Sequence, residues 1–412
     1  MGSADRPARR VGGPVYTDPM TETITSDDLP VLRMRALGLT ADAAGSGAGA
    51  GSGSDRVAAV AHRMLAVQGQ DWRSSRWALG ARAANLTGSE VGVADVAAAF
   101  TEGRIVRSWP VRGTIHVVPA EDVGWIQAAT NRKPVAGAAR RRELLGMSDE
   151  VLDRLIDVSR EALAGLAARG EGLDRDGLAA AWTEAGIDWK SAWRYHVIWW
   201  LCQNGLATFG PTDGSVEPRL VLAEEWIRHP RTPDDPLAEL AARYAAARGP
   251  VRAKDLAWWA GLTAAEAGRG LEAAAESGAL ERVRLAGVSG AAGALWASPE
   301  VLGSAAAVPD WLLLPSFDEH LLGYAVRDAQ LAPEHFERIV PGRNGVFLAT
   351  VVHRGRVAGT WRRNARKGGG IGVAPFPGAR IDPAALASEH ARWSEFHGLE
   401  PGPVELAEAA GG

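Results

Sequence analysis

Two glutamines that lie one residue apart, Gln68 and Gln70, are the first candidates for chemistry in this chain. A glutamine amide offers one oxygen acceptor and two N–H donors without carrying a charge. Residues i and i+2 of an extended backbone point to the same side, so both amides would then face one space. Spacing alone predicts only an exposed junction between two helices. The second of these helices carries Arg73 and Arg76, which are candidate DNA-binding residues.

A second candidate is the run Asp318-Glu319-His320, which directly follows an apolar segment. It could form an acid–base cluster, but the sequence favours a polar turn at the end of a buried strand. The nine histidines show no HExxH or comparable spacing, so we expect no metal site. Neither glycine-rich segment is followed by Lys-Ser or Lys-Thr, so we also expect no bound cofactor.

Basic residues are concentrated in one stretch, although the net charge of the 412-residue chain is only −4. Residues 338–367 contain eight arginines and lysines and no Asp or Glu. Those on or beside a predicted hairpin are Arg354, Arg356, Arg362 and Arg363. Basic islands on an acidic protein are expected of a DNA-binding enzyme, and the alternative is an ordinary solvated surface. On the first interpretation these arginines face DNA phosphates.

Another predicted hairpin, in the run VRSWPVRGTIHVV, carries Arg112 and His116. Strand residues four apart share a face, so the two side chains are predicted to lie together. That face would support the Gln68–Gln70 segment or contact the DNA backbone. The alternative is a surface strand with incidental charge.

The elements that must position these residues repeat one theme, in which helices are followed by two short strands. The order is three helices and two strands at 236–298 and again at 148–222, with one more helix at 27–118. Three helices with a two-stranded wing form a winged helix, whose third helix can enter a DNA groove. The predicted class is mainly α with small β: tandem winged-helix motifs plus a C-terminal β-rich domain, a small sheet or partial barrel.

The repeats also predict the domain boundaries. Residues 1–24 are predicted to be a disordered leader, 45–54 a flexible Gly/Ser linker and 401–412 a tail. The predicted folded units are 25–147, 148–230, 231–305 and the β-rich domain at 306–400. A single cysteine, Cys202, excludes a disulfide framework. With no signal peptide or transmembrane run in the sequence, we expect a cytoplasmic protein without a membrane partner.

Five blocks of the sequence resemble, in order, those of the AlkZ/YcaQ-like family of bacterial winged-helix DNA glycosylases. They are LPVLRMRALGL, MLAVQGQDWRSSRWALGAR, IVRSWPVRGTIHVVPAEDVGWI, LLPSFDEHLLGY and GRVAGTWRR, and the resemblance spans about residues 27–398. It implies a C-shaped monomer that clamps double-stranded DNA and excises N-alkylated purines in base-excision repair. Several members of the family unhook interstrand crosslinks, including those made by antibiotics that their own producers secrete.

The family's catalytic motif is Gln–apolar–Gln or Gln–apolar–Asp, so the resemblance assigns catalysis to Gln68 and Gln70. Gly69 departs from the bulkier middle residue that is usual in the family, and Gly69→Ala is expected to preserve or raise activity. Asp318 lies in another family block and is a candidate site-supporting residue. An alkylated purine is cationic and leaves readily, so a positioned water suffices, and the absence of Lys between Gln68 and Arg82 argues against lyase activity.

The resulting hypothesis is a monofunctional DNA glycosylase that acts on N-alkylated purines, bulky adducts or crosslinks. The main alternative is a non-catalytic winged-helix DNA-binding protein or regulator, in which the glutamine segment is only a helix junction. A weaker alternative is a scaffold that uses its wings for protein contacts.

Overall fold

The computed structural model describes residues 22–40, 51–214, 217–364 and 369–407. Within these ranges the protein is mainly helical and contains three small sheets. None of the helices in the same ranges is long and apolar enough to cross a membrane.

The helices are numbered in chain order. Those before residue 230 are α1 (Asp28–Ala36), α2 (Gly53–Met64), α3 (Trp72–Thr87), α4 (Val93–Thr101), α5 (Val123–Thr130), α6 (Arg132–Leu145), α7 (Asp149–Leu163), α8 (Arg175–Glu184), α9 (Ser191–Gln203) and α10 (Ala223–Trp226). Those that follow are α11 (Pro236–Arg248), α12 (Ala253–Ala260), α13 (Ala264–Glu276), α14 (Pro299–Gly303), α15 (Glu319–Leu322), α16 (Phe336–Ile339) and α17 (Ala387–Phe396).

The strands are short. They are β1 (Glu22–Ile24), β2 (Val67–Gln68), β3 (Ile105–Val111), β4 (Thr114–Pro119), β5 (Ala207–Phe209), β6 (Leu220–Leu222), β7 (Glu281–Leu285), β8 (Ala294–Ala297), β9 (Trp311–Leu314), β10 (Thr350–His353), β11 (Arg356–Arg363), β12 (Ile371–Pro375) and β13 (Val404–Leu406). The sheet orders are β1-β7-β8, β2-β4-β3-β5-β6 and β13-β12-β11-β10-β9.

The segment 236–298 contains α11, α12 and α13 followed by the antiparallel pair β7–β8. Asp235 caps α11 by accepting from the backbone N–H groups of Leu237 and Ala238 at 3.0 Å. Thr263 and Glu266 form a reciprocal capping box at the start of α13. Local capping chemistry therefore fixes where these helices begin, and packing of α11 against α13 orients them.

The sheet β2-β4-β3-β5-β6 draws strands from two of the predicted units. Strand β3 pairs with β4 on one side and, through Arg107 and Phe209, with β5 on the other. Strand β2, which carries Gln68, lies at the edge beside β4. The helix junction predicted from the sequence is therefore an edge strand that leads into α3.

Three predicted boundaries differ from the structure. Strand β1 lies inside the predicted leader, where it pairs in parallel with β7 and buries Ile24. Helix α2 begins inside the predicted linker and is capped by Ser52. Strand β13 lies inside the predicted tail and pairs in parallel with β12. Residues 1–21, 45–50 and 408–412 of these three segments lie outside the described residues.

The C-terminal region is an open five-stranded sheet. Strands β13 and β9 form its two edges, so no barrel closes within the part of the chain that the structure describes. The expected partial barrel is therefore wrong. Helix α3 packs on this sheet, where Trp77 Nε1 donates to the Leu313 carbonyl at 2.8 Å. This packing ties the helix that follows the glutamine segment to the C-terminal region.

Candidate active site

The segment between α2 and α3, residues 65–71, which we call the glutamine loop, is fixed at both ends. Strand β2 pairs Val67 with Val117 and Gln68 with His116 of β4. At the far end, the Asp71 carboxylate accepts from the Ser74 backbone N–H at 2.6 Å and caps α3. A loop held in this way can present a side chain in a defined orientation.

The two glutamines occupy different environments. Gln68 is only 6% exposed, and its Oε1 accepts from the backbone N–H of Gln70 at 3.0 Å. Gln70 lies in a bend and is exposed, and its side chain has no hydrogen-bond partner among the described residues. The structure therefore brings the residues together, but Gln68 shapes the turn while the amide of Gln70 is free to bind water.

Gly69 lies where the backbone of the loop approaches β4 closely. Its N–H donates to the Ile115 carbonyl at 2.9 Å, and its carbonyl accepts from Arg107 Nε at 2.9 Å. A Cβ at this position would lie 3.1 Å from the carbonyl carbon of His116 and 3.2 Å from its Cα. Because those atoms belong to a paired strand, the expectation that alanine fits here without loss does not suit this geometry.

A buried ion pair that the sequence analysis missed supports the start of the loop. Arg248 donates to the carbonyls of Met64 at 3.0 Å and Ala66 at 2.8 Å. The same guanidinium donates to Glu319 Oε2 at 2.7 and 2.9 Å, and Trp259 Nε1 donates to that oxygen at 3.1 Å. Arg248 lies 71 residues from Glu319 in sequence, so no local pattern reveals the pair.

Asp318 and His320 do not join Glu319 in an acid–base cluster. The Asp318 carboxylate accepts from Arg82 of α3 at 2.8 and 3.0 Å, and the pKa of Asp318 is lowered although burial alone would raise it. His320 Nε2 lies 3.0 Å from the Gly355 carbonyl, and burial lowers its pKa to about 4. Asp318, Glu319 and His320 therefore contact three different partners. The residue that acts on the glutamine loop, through Arg248, is Glu319 and not Asp318.

Arg112 and His116 do not share a strand face as predicted, although both side chains lie near Trp259. Arg112 lies in the turn between β3 and β4 with φ +53°, donates to the Trp259 carbonyl, and stacks 4.6 Å from the Trp258 ring centroid. His116 is fully buried, and burial lowers its pKa to about 3. A strand face cannot include a turn residue, and a covered, neutral His116 cannot contact a phosphate. His116 pairs with Gln68 and therefore belongs to the strand that supports the glutamine loop.

Two of the hairpin arginines, Arg354 and Arg356, have acidic partners although the surrounding sequence contains no Asp or Glu. Arg354 forms an ion pair with Asp310 at 2.7 Å, and Arg356 forms one with Asp27 at 3.1 Å. Both acids come from distant parts of the sequence. Arg354 lies at the turn between β10 and β11, and Arg356 begins β11.

Arg362 and Arg363 end β11, seven residues from Arg356, and meet Arg73 and Arg76 of α3 around one pocket. Arg73, Arg362 and Arg363 are exposed, whereas Arg76 is 8% exposed and donates to the Gly214 carbonyl at 2.8 Å. Of the predicted DNA-binding arginines, these four converge, and they include only Arg362 and Arg363 from the hairpin set.

Three potential metal ligands also lie together among the described residues, namely His62, Glu121 and Asp122. The Asp122 carboxylate already accepts from Trp125 and from two arginines, at 2.7, 3.0 and 2.6 Å. Two guanidinium charges on one carboxylate oppose the binding of a cation there, so we assign it no metal.

Comparison with known proteins identifies similar chains. The family model described as "DNA glycosylase AlkZ-like" matches residues 61–396. An interstrand DNA cross-link repair glycosylase from Streptomyces sahachiroi is 24% identical over 371 residues, which cover 84% of this chain and 92% of that protein. The solved structure of Streptomyces sahachiroi DNA glycosylase AlkZ matches with a TM-score of 0.69 and 20% identity, covering 93% of this chain and all of that one, and this likeness concerns the fold.

Proposed function

Because the chain belongs to the AlkZ-like DNA glycosylase family, we propose that it is a monofunctional DNA glycosylase that hydrolyses the N-glycosidic bond of N-alkylated purines in double-stranded DNA. Its substrates include bulky adducts or interstrand crosslinks, in keeping with the cross-link repair role of its Streptomyces relative. The observation that carries the proposal is the exposed Gln70 amide, presented by a loop whose backbone is fixed on both sides.

The chemistry requires a positioned water rather than a strong base. Alkylation of a purine ring nitrogen makes the base cationic, so the electrons of the breaking C–N bond neutralise the departing ring. Water attacks the anomeric carbon of the oxocarbenium-like sugar and loses its proton to solvent. The Gln70 carbonyl accepts a hydrogen bond from this water and orients it, and positioning of this kind contributes up to about 7–11 kcal/mol in favourable cases.

Gln68 acts beside Gln70 in this scheme. The side-chain oxygen of Gln68, Oε1, accepts from the Gln70 backbone N–H and therefore faces the loop. The side-chain Nε2 group of Gln68 remains to donate a hydrogen bond to the water. Substitution of Gln68 thus changes the turn as well as any contact with water, whereas substitution of Gln70 changes only the exposed amide. The two residues share one water and are expected to act as a unit.

We further propose that the helix–strand units act as tandem winged helices in a C-shaped monomer that grips duplex DNA. The order α11, α12, α13 and then the β7–β8 pair supports this for the segment 236–298. Among winged helices and related motifs, the helix before the strands is the one that enters a groove.

Formation of abasic sites tests the proposal. A duplex that contains one N7-alkylated guanine is incubated with excess protein, and abasic sites are then cleaved in hot alkali. The native protein should cleave the strand at the alkylated base. Gln70→Ala should release the base about a hundred- to a thousand-fold more slowly with unchanged affinity, which corresponds to a lost transition-state contact of about 2.7–4 kcal/mol. Gln70→Asp should retain more activity, because a carboxylate also accepts from water.

The matched control is Asn204→Ala, which removes an exposed amide at the end of α9 and should leave the rate unchanged. Equal rates for Gln70→Ala and the native protein would remove the catalytic assignment. A native protein that binds duplex DNA with a steep salt dependence but forms no abasic sites would instead be the non-catalytic DNA-binding protein.

A further inference from the structure

The four converging arginines surround a pocket of about 500 Å³ between the first turns of α3, the end of β11 and α17. Its walls include three tryptophans, Trp77, Trp361 and Trp393. We call it the arginine pocket. A volume of this size suits a small organic group rather than a single water or ion.

The arginine pocket carries positive charge that no lining acid in the described chain neutralises, and the acid that acts on Arg76 from outside the lining is Asp71, the cap of α3. No Asp or Glu lines it among the described residues. Its three exposed arginines, Arg73, Arg362 and Arg363, form no ion pair within the same part of the chain, whereas many other surface arginines of this protein do. Like charges that converge are destabilising unless an anion joins them.

Arg76, the buried arginine of the pocket, also lacks a full set of hydrogen-bond partners within the described ranges. Its side chain is more than nine-tenths buried, yet its Nε has no hydrogen-bond partner among the described residues. Burying a charged group without full pairing is costly, so such an arrangement is expected where a ligand completes it. The guanidinium also lies against the Trp72 ring, with 5.3 Å to the centroid.

His397 also lines the arginine pocket and is neutral there. Its Nδ1 lies 2.8 Å from the Trp393 carbonyl, and its ring packs against Trp393 with 4.5 Å between centroids and 39° between the ring planes. Burial, together with the nearby charges of Arg76, Arg363 and Arg73, lowers the pKa of His397 to about 4. Burial is the main cause of this lowered pKa, and the arginine charge that adds to it also attracts a negatively charged ligand.

We propose that the arginine pocket binds one phosphate of the DNA backbone close to the excised nucleotide. The guanidinium fork matches the geometry of phosphate oxygens, and the buried tryptophans form the rigid base of the pocket. This inference rests on the proposed function for its choice of DNA as the phosphate ester.

The position of the pocket relative to the glutamine loop supports this choice. Arg73 follows Gln70 by three residues, so their Cα atoms lie at most about 10 Å apart. Successive phosphates of one strand are separated by about 3.4 Å along the helix axis. A phosphate held by Arg73 therefore belongs to the target nucleotide or a close neighbour. Holding that phosphate would fix the sugar in front of Gln70.

The test compares two pairs of arginines on the same strand, Arg362→Ala/Arg363→Ala and Arg354→Ala/Arg356→Ala. The first pair lines the pocket, and the second pair is already neutralised by Asp310 and Asp27 and lies at the other end of β11. Affinity for an alkylated duplex is measured from 50 to 200 mM salt. The pocket variant should bind about tenfold or more weakly, and the slope of log K against log salt should fall by about one.

The control pair should keep the native affinity and slope. Arg362→Lys/Arg363→Lys retains charge without the guanidinium fork, and it should restore the slope but only part of the affinity. This second variant also guards against misfolding, because a slope restored by lysine requires a folded protein. Equal slopes for the alanine pocket variant and the native protein would overturn the inference.

Two further arms separate the possible outcomes. Calorimetric titration with deoxyadenosine monophosphate tests a free nucleotide. Tight binding that disappears in the pocket variant, combined with an unchanged DNA slope, would show a free-nucleotide site and contradict the DNA assignment. Abasic-site formation by the native protein is scored separately. If the alanine pocket variant loses slope but the native protein excises no base, the phosphate pocket is supported and the proposed function is refuted. If the native protein excises the base but the variant keeps the native slope, the proposed function is supported and the phosphate pocket is refuted.

Discussion

The buried pair of Arg248 and Glu319 offers a direct test of how the glutamine loop is held. Glu319→Gln keeps the size of the side chain and removes its charge. Arg248 then stays buried without a counter-charge. The perturbation therefore acts on the guanidinium that binds the carbonyls of Met64 and Ala66.

The expected loss of folding free energy follows from the burial of both Arg248 and Glu319. Removing one member of a fully buried ion pair typically destabilises a protein by about 3–5 kcal/mol, since the other charge is left uncompensated. The contacts to Met64 and Ala66 flank Leu65, which adopts φ +62° and is fully buried. A left-handed leucine persists only where its surroundings hold it, at a cost of about 1–3 kcal/mol. Loosening Arg248 should thus shift the loop as well as destabilise the fold.

A double variant separates these two effects. Arg248→Met/Glu319→Leu replaces the ion pair with apolar groups, which often recovers most of the lost stability. The carbonyls of Met64 and Ala66 nevertheless lose their donor. We therefore expect unfolding in urea, followed by tryptophan fluorescence, to show recovered stability while single-turnover base release stays about a hundredfold slow, the usual consequence of a misplacement near 1 Å.

The matched control is Asp318→Asn, which breaks the neighbouring buried pair with Arg82. That pair contacts α3 and the Leu37 carbonyl but not the glutamine loop. It should lower stability by a similar amount and leave the rate of the folded fraction unchanged. A native rate in the Arg248→Met/Glu319→Leu variant, or an equal loss of rate in Asp318→Asn, would refute the positioning role.

Gly69→Ala is expected to slow base release, contrary to the expectation from sequence, because the added Cβ would press on the His116 backbone; a single-turnover rate at or above the native one would contradict this. His116→Gln should flatten the loss of stability in acid. The pKa of His116 in the folded protein is about 3, below the unfolded value near 6.5, so its contribution is complete above pH 6.5 and is lost as pH falls toward 3, by up to about 1.4 kcal/mol per pH unit. Identical slopes of unfolding free energy between pH 6.5 and 4 in the two proteins would count against this account.

Features governed by local chemistry could be predicted from the sequence. The spacing of Thr263 and Glu266 indicates the start of a helix, and the structure has the capping box there. The turn at Arg354 and Gly355 joins two antiparallel strands as its sequence indicates. The glutamine segment likewise falls between two helices. Each of these depends on hydrogen bonds or backbone preferences within a few residues.

Features that depend on remote partners could not be predicted. The alternation of strand residues predicted that His116 supports the glutamine segment or contacts DNA. In the structure this residue is paired with Gln68 and completely covered, so it cannot reach DNA. Arginine is seldom fully buried, so the sequence treats it as a surface residue. Arg82, Arg107 and Arg248 are nevertheless buried, and their carboxylate partners lie 236, 110 and 71 residues away. No sequence period encodes those distances.

The pairing of the arginines is consistent with the charges that the proposed reaction develops. An alkylated purine and the oxocarbenium-like sugar are both positive, so an unpaired guanidinium beside the glutamine loop would oppose the reaction. The arginines that bind the loop are instead neutralised, Arg107 by Glu217 and Arg248 by Glu319. The exposed arginines of the arginine pocket form no ion pair with an acid among the described residues, and a phosphate would neutralise them. If the loop arginines were deprived of their acids without unfolding the protein, the rate should fall even where DNA affinity rises.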